Sequence, residues 1–586
     1  MERLVKSALE ESSLLAKVAV VVIAAGLLFA AVRQRLYPQP LPWLPYNQEA
    51  KGRLFGDLPS LMSWHKKYGE QRKWYQAQFL KLNSPMVQVF LHPFDGKPSI
   101  LLCDHREIRD ILMKRYKEFD RGNREQNAFG ALLPQQFLSI QTPTPKFKFH
   151  KELMKDLMLP GFLNDVNAPE IYRKSIALLD LWKAKTIIAN GRPFDVKWDI
   201  HKAAFDIIMA VSFGLKDEDS CTSKQLRATL AEDNPRASRQ VDLNEPYKFS
   251  SLAMDPEGQA VLDLTESISV GFSSPIPYIH SWILLHMPPL RNAVQVKEQM
   301  TRRQIDGAVA KLPPTDEEAQ RNAKTGLEYL IFRERASARK SGREPNYHSR
   351  YIYDELFGYL IGGHDTTSNS LAWGLMYLAD IEGPQKKLRS KLREAFPEAA
   401  REKRQLTLDE ITKANVPYLE AVNEEILRFS VVIPVVSRKA VCDTTILGHA
   451  IPKGTEVEFV FNGPGFLKPQ LPVNNELRSE TSKLSKIRDW ARDDVDQFLP
   501  ERWLDTDHNG NEVFDALKGP MMTFGGGPRG CYGKRLAYME MRIILALLVW
   551  NFEFLPMKPQ RRPFGLLENI TVEPSECLIK IKTLIQ

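Results

Sequence analysis

The pattern of hydrophobic and polar positions divides the chain close to its start. From Leu14 to Val32 nearly every residue is apolar, with Lys17 as the one charge. As a helix rising ~1.5 Å per residue, this stretch reaches about 28 Å, close to the hydrocarbon thickness of a bilayer. It lacks the polar face that a surface helix of a soluble protein would show. Glu10 and Glu11 precede it and Arg33 ends it, unlike a cleaved leader with a basic start and a small-residue cleavage site. The pattern predicts a short tail over 1–13, a membrane anchor over 14–32, and a stiff hinge over 33–47 carrying Pro38, Pro40, Pro42 and Pro45. Arg33 and Arg35 behind the span favour a body on the cytosolic side, with the endoplasmic reticulum membrane as the expected location.

Beyond residue 48, helical periodicity dominates and short alternating runs interrupt it. Val87, Val89 and Leu91 alternate, Asp95-Gly96 offers a turn and Ile100–Leu102 returns, which predicts a hairpin. Thr571–Val572 and Leu578–Ile581 predict a second strand pair. The longest helical pattern covers 351–380, with Ile352, Leu356, Leu360, Leu371 and Leu375 on its core side. The apolar run Ile544–Trp550 is too short to span a membrane and reads as a buried helix end. The expected class is mainly α with small β-sheets. It comprises one large domain over 48–586 with a polar surface insertion over about 463–489.

Composition narrows the function classes. With 43% hydrophobic and 26% charged residues the chain can build a large core, so disorder and fibrous folds are excluded. The net charge of +8 is scattered, without an aromatic-studded basic stripe, and nucleic acid is not an expected partner. The cysteines are Cys103, Cys221, Cys442, Cys531 and Cys577. Their odd number and the lack of zinc spacings argue against a disulfide framework and for a reducing compartment.

Cys531 stands apart from the other four. Residues 524–533 read Phe-Gly-Gly-Gly-Pro-Arg-Gly-Cys-Tyr-Gly, and a helical pattern through Leu536, Met539, Ile543 and Leu547 follows. A cysteine just before a helix N-terminus meets amides and a dipole that favour its thiolate. A phosphate loop would need Gly-Lys-Ser/Thr, which Gly533-Lys534-Arg535 does not supply. A second unusual run, Gly362-Gly363-His364-Asp365-Thr366-Thr367, falls inside the longest helical pattern. Each Gly there costs roughly 1 kcal/mol against Ala, and an acid beside a hydroxyl makes a proton relay available. Glu425 and Arg428, three apart, share a helical face, and Pro500-Glu501-Arg502-Trp503 follows downstream.

The cysteine loop resembles the cytochrome P-450 signature F-x-x-G-x-R-x-C-x-G, with Phe524, Gly527, Arg529, Cys531 and Gly533 at every fixed position. The glycine–acid–threonine run resembles the central-helix motif of the same family. The order central helix, Glu-x-x-Arg, Pro-Glu-Arg, cysteine loop also agrees. The likeness covers most of residues 46–586 and is specific from about Tyr351 onward.

This resemblance implies haem b with Cys531 as axial thiolate, which favours O–O cleavage at the iron. It implies that Phe524 packs beside the sulfur, that Arg529 pairs with a haem propionate, and that Gly527 and Gly533 let amides approach the sulfur. Gly362 and Gly363 would flank bound oxygen, Thr366 would hydrogen-bond it and Asp365 would relay protons. Glu425, Arg428 and Arg502 would brace the scaffold, and Arg438 would serve a propionate. The family's Trp-x-x-x-Arg places hold Phe147 and Lys151, and Lys lacks the planar fork of Arg. His364 falls at a variable position and reads as a surface or core-satisfied side chain. Phe129, Leu132, Leu133, Phe137, Ile140, Val431–Val436 and Leu566-Leu567 would line a pocket for a lipophilic substrate.

The activity implied is that of a microsomal, fungal-type monooxygenase placing one atom of O2 into a lipophilic small molecule of specialised metabolism. Its electrons would come from NADPH-cytochrome P-450 reductase, with cytochrome b5 as an alternative donor. A peroxide isomerase or dehydratase on the same scaffold, and a haem electron carrier, are the competing classes. The intact Asp365–Thr366 pair speaks against both. Asn569-Ile570-Thr571 is a glycosylation sequon, expected unmodified on a cytosolic body.

Overall fold

The computed structural model describes residues 2–92, 96–232, 242–274, 276–490, 493–557 and 565–584. The apolar run at the start lies within one helix, α1 (Glu2–Leu36), so the helix continues past the predicted hinge start at residue 33. Val20, Val21, Val22, Ile23, Leu27, Leu28 and Phe29 are each 61–68% exposed, so apolar side chains face outward all round this segment. Among the described residues no helix is long and apolar enough to cross a membrane. The side chains of Leu14, Leu15 and Ala16, which open the predicted span, lie outside the described ones.

The body is mainly helical around small sheets. The helices that shape the site are α2 (His105–Met113), α3 (Pro145–Met154), α4 (Lys197–Phe213), α5 (Arg350–Asp380), α6 (Pro417–Ser430) and α7 (Lys534–Asn551). α5 is the expected central helix, and its predicted core positions Ile352, Leu356, Leu360, Leu371 and Leu375 are all 2% exposed or less. It runs unbroken through Gly362-Gly363, because a Cβ at Gly363 would stand 2.5 Å from Ile208 of α4. That glycine is the contact at which two helices pack closely. The apolar run Ile544–Trp550 is indeed the buried end of α7.

The main sheet comprises β1 (Met86–Val89), β2 (Ser99–Leu102), β3 (Phe119–Arg121), β4 (Val435–Ala440) and β5 (Glu456–Val460), in the order β1-β2-β5-β4-β3. β1 and β2 form the expected antiparallel pair; Asp95 of the predicted turn lies outside the described residues. Every position of both strands is buried, so the sheet is covered on both faces. In the β3–β4 register Arg121 stands opposite Arg438.

The second predicted strand pair forms differently. β6 (Leu566–Glu568) pairs with β7 (Val572–Pro574), while Leu578–Thr583 pairs with Phe552–Leu555 and Phe194–Asp195. Phe552–Leu555 leaves α7 directly, and its buried Phe552 and Phe554 face the core, so it outcompetes β7 as a partner. The Val572 amide donates to the Val432 carbonyl at 2.8 Å and Trp373 Nε1 donates to the Val572 carbonyl at 3.1 Å. These bonds hold the β6–β7 tip against α5.

Glu425, Arg428 and Arg502 meet as the sequence suggested. Arg428 Nε and Nη2 donate to the two Glu425 oxygens at 2.9 and 2.8 Å, and Arg502 Nε donates to Oε1 at 3.0 Å. Trp503 Nε1 and the Leu499 amide, each at 2.8 Å, complete the shell of a fully buried carboxylate. A buried ion pair of this kind tolerates desolvation only because its lone pairs are filled. α6 then ends at Val431, whose φ of +35° is a strained conformation for a β-branched residue. That turn sends the chain directly into β4.

Candidate active site at the cysteine loop

Cys531 lies on a loop whose shape its glycines permit. Gly525 and Gly527 have φ of +60° and +65°, which glycine adopts without strain. At Gly527 a Cβ would collide with the Leu112 carbonyl of α2. The Phe524 carbonyl accepts the Cys531 amide at 2.8 Å, and the Phe524 ring packs on Tyr538 at 5.2 Å. Gly533 caps α7, so the thiol stands just ahead of that helix N-terminus. The sulfur faces a cavity of about 470 Å³. Burial pushes the thiol pKa up, while the amides of Gly533 and Lys534 and the Lys534 ammonium pull it back. The surface that Cys531 exposes is that of the cavity.

α5 contributes Gly362, Gly363, Asp365, Thr366 and Thr367 to the same cavity. Thr366 Oγ1 donates back to the Gly362 carbonyl at 2.9 Å and is free to turn toward a ligand. A Cβ at Gly362 would meet no atom within 4 Å, so Gly362 is the glycine facing open space, whereas Gly363 is explained by Ile208. Asp365 accepts from Thr571 Oγ1 at 2.5 Å and from Asn369 Nδ2 at 3.2 Å, and its Oδ1 lies 3.9 Å from His201 Nε2. Burial lowers the His201 pKa to about 3, which keeps that imidazole neutral. His364 points away from the cavity: fully buried, it packs on His201 and Phe205, with Nδ1 2.7 Å from the Leu360 carbonyl.

Five arginines reach the cavity wall: Arg72, Arg121, Arg124, Arg438 and Arg529. Arg529 lies 4.0 Å over the Phe147 ring and donates to Thr142 Oγ1 at 2.6 Å and to the Phe137 carbonyl at 2.8 Å. Arg438, 3% exposed, donates to the Ser437 carbonyl at 2.8 Å. Burial, with Arg121 close by, lowers Arg529 to about 9 and Arg438 to about 10. The Arg121 Nε is buried with no hydrogen-bond partner. The carboxylates nearest Arg121, Arg438 and Arg529 are Asp120, 3.6 Å from Arg529, and Glu125, which is occupied by the Ser437 amide. The cluster is short of negative charge.

Sequence reasoning missed Arg121. Its only signal would have been the strand register that sets it beside Arg438, a contact between residues far apart in the chain. Lys151 lies outside the cavity lining; its ammonium donates to the Pro528 carbonyl at 3.1 Å, so it tethers the cysteine loop from behind. Phe147 is the shelf under Arg529. Of the expected substrate walls, Phe129, Leu133, Phe137 and Ile433–Val436 line the cavity, joined by Leu138 and Ile361. Leu132, Ile140, Val431, Val432 and Leu566-Leu567 do not; Glu568–Val572 take the place of Leu566-Leu567, because the β6–β7 tip rather than its first strand reaches inward.

The family profile "Cytochrome P450" matches residues 54–463 and 493–581. "Cytochrome P450 monooxygenase TRI13" of Fusarium sporotrichioides is 34% identical over 93% of this chain and 95% of that protein. "Cytochrome P450 monooxygenase xilC" of Penicillium rubens is 33% identical over 89% of each. Among solved structures, a crystal structure of the cytochrome P450 CYP102L1 superposes with a TM-score of 0.65 at 17% identity, covering 93% of this chain and 100% of that one. At that identity the likeness shows the fold. With the family profile spanning most of the sequence and fungal monooxygenases aligned nearly end to end, this chain belongs to the cytochrome P450 family and is an oxidoreductase of the monooxygenase class.

Proposed function

We propose that the chain is a microsomal monooxygenase of fungal specialised metabolism that places one oxygen atom from O2 into a lipophilic small molecule. Electrons would reach it from NADPH-cytochrome P-450 reductase, with cytochrome b5 as an alternative donor. The observation that carries this reading is that one cavity is lined both by the Cys531 thiol and by the Asp365–Thr366 pair of α5.

The residues present fit a haem, which Cys531 would hold through its sulfur. Cys531 offers a soft ligand and Phe524 an aromatic neighbour, while Gly533 and Gly362 leave open space where any side chain would intrude. Arg121, Arg438 and Arg529, with too few carboxylates among them, suit the two propionates. Haem bound there supplies the redox chemistry of oxygen activation. The chain's own groups do the rest. The amides of Gly533 and Lys534 favour the thiolate, and the arginines neutralise the carboxylates. The Thr366 hydroxyl presents a donor to a ligand above the sulfur. Asp365, held by Thr571 and Asn369, carries protons between the His201 side of α5 and the cavity. Phe129, Leu133, Ile433, Val435 and Val436 exclude water and select an apolar substrate by shape.

The anchor is part of the proposal. α1 carries apolar side chains exposed on all sides from Val18 to Val32, with Arg33 immediately behind them, as a bilayer-seated helix would. A chain lacking residues 1–36 is expected to leave the microsomal pellet for the supernatant; retention in the pellet at full-length levels would contradict the anchor.

Reductase-coupled microsomes given a panel of lipophilic metabolites under 18O2 should yield a product one labelled oxygen heavier. Thr366→Ala should lower product formed per NADPH by about tenfold or more while haem content holds. Product formed from a hydroperoxide without reductase would instead favour an isomerase. Arg121→Ala should weaken haem retention by about tenfold, the worth of one charge-assisted hydrogen bond of ~1.5 kcal/mol, as read by haem transfer to apomyoglobin. An unchanged transfer rate would remove Arg121 from the propionate site.

A further inference from the structure

Residues 464–492 fall between the two stretches that match the family profile, yet their described part is not a free loop. It is pegged to α2 along that helix. Arg478, 5% exposed, donates through Nη1 and Nη2 to both oxygens of Asp104 at 2.6 and 2.7 Å. Ser479 Oγ donates to Asp110 at 2.6 Å, and Asp489 lies 2.6 Å from His105 Nε2. Asp104 is also the N-cap of α2, accepting the Glu107 amide at 2.9 Å, so one carboxylate both starts the helix and receives the strap.

The opposite end of α2 holds the cysteine loop. The Gly527 amide donates to Met113 Sδ at 2.9 Å, and the Leu112 carbonyl occupies the space where a Gly527 side chain would be. The strap is fastened at both of its own ends as well. Arg428 donates to the carbonyls of Phe466 and Val495 at 3.0 and 2.8 Å, and the Trp490 ring covers Arg428 and Arg502 at 5.2 and 4.9 Å.

We infer that the segment 464–490 is a strap that positions the cysteine loop through α2, with Arg478 as its main positioning residue. This rests on Cys531 being the iron ligand. With α2 held at its N-cap by Arg478, its last turn presents Met113 and Leu112 to Gly527 at a fixed height, which sets the approach of the Cys531 sulfur to the cavity. Released, α2 frays and the loop loses its seat, so the sulfur is protonated or displaced more often. Energetic coupling along such a chain of contacts shows as non-additivity between its two ends.

The test uses the full-length haem-loaded protein carrying Arg478→Met, the milder Ser479→Ala, Met113→Ala (Met113 is 41% exposed and outside the core), and Arg478→Met with Met113→Ala together. Two readouts are taken: hydrogen exchange at the amides of 524–533, and the share of the ferrous–CO complex showing the thiolate-type Soret band. Arg478→Met should speed exchange in the cysteine loop by about tenfold and at least double the fraction lacking the thiolate band, with exchange in α5 unchanged. Ser479→Ala should move both readouts the same way by a smaller factor. Met113→Ala should reproduce the loop effect, and the double variant should add little to either single one. The proposal is overturned if exchange rises only in the strap and α2 while the loop and the Soret band hold. It is equally overturned if the Arg478 and Met113 effects add in full, or if Arg478→Met unfolds the protein while Ser479→Ala is silent. Cys531→Ala separates the two claims: a thiolate band surviving that change sinks the ligand reading, whatever the strap variants do.

Discussion

The Glu425 carboxylate is the constraint on which the rest of the structure hangs. It is fully buried and accepts from Arg428, Arg502, Trp503 and the Leu499 amide, so one charge ties α6 to the segment leading to the cysteine loop. Removing one partner of such a pair leaves an uncompensated charge in the interior, which typically costs about 3–5 kcal/mol. Arg428 spends its remaining donors on carbonyls of Phe466, Val495 and Gln497, extending the same node to both ends of the strap. α6 is thereby fixed, Val431 turns, and β4 enters the cavity at a set depth. The position of Arg438 follows from that depth.

The cavity itself is organised by a second electrostatic fact, an excess of buried cations over carboxylates. Burial lowers the pKa of Arg121, Arg438 and Arg529, Arg121 adds to the lowering of the other two, and Asp120 and Glu125 offset only part of it. Burying these cations without matching carboxylates is costly, and a dianionic cofactor bound among them would offset that cost. The account therefore couples cofactor binding to stability: the arginines that hold the carboxylates are groups the apoprotein carries at a loss. On the opposite wall the pattern is local and polar, with Asp365 locked by Thr571 and Asn369 while Thr366 stays free to turn.

Much of this was legible in the sequence where the information is local. The cysteine loop, the α5 run and the Glu425–Arg428 pair are short local motifs, and the resemblance they carry implied that Arg502 joins the pair from 74 residues downstream of Arg428. The burial of the Ile544–Trp550 run and the β1–β2 hairpin were legible for the same reason. What was not legible depends on contacts between distant segments. Arg121 gains its role from the strand opposite, and Gly363 from Ile208 of another helix. Lys151 donates to the Pro528 carbonyl of the cysteine loop and not into the cavity, a contact between segments far apart in the chain. The β7 partner was decided by a strand that begins only where α7 ends. The polar insertion looked like a solvated surface because its exposed residues outnumber the buried pegs, among them Phe466, Arg478, Ser482 and Ile487, that fasten it.

The central claim is that Cys531 supplies a sulfur ligand to iron in this cavity. Iron X-ray absorption fine structure on the purified resting protein measures it without reference to substrate, reductase or turnover. The account predicts one sulfur scatterer in the first coordination shell of the full-length protein and its loss in Cys531→Ser. A first shell made only of nitrogen and oxygen in the unaltered protein, or a sulfur that persists in the serine variant, would contradict it.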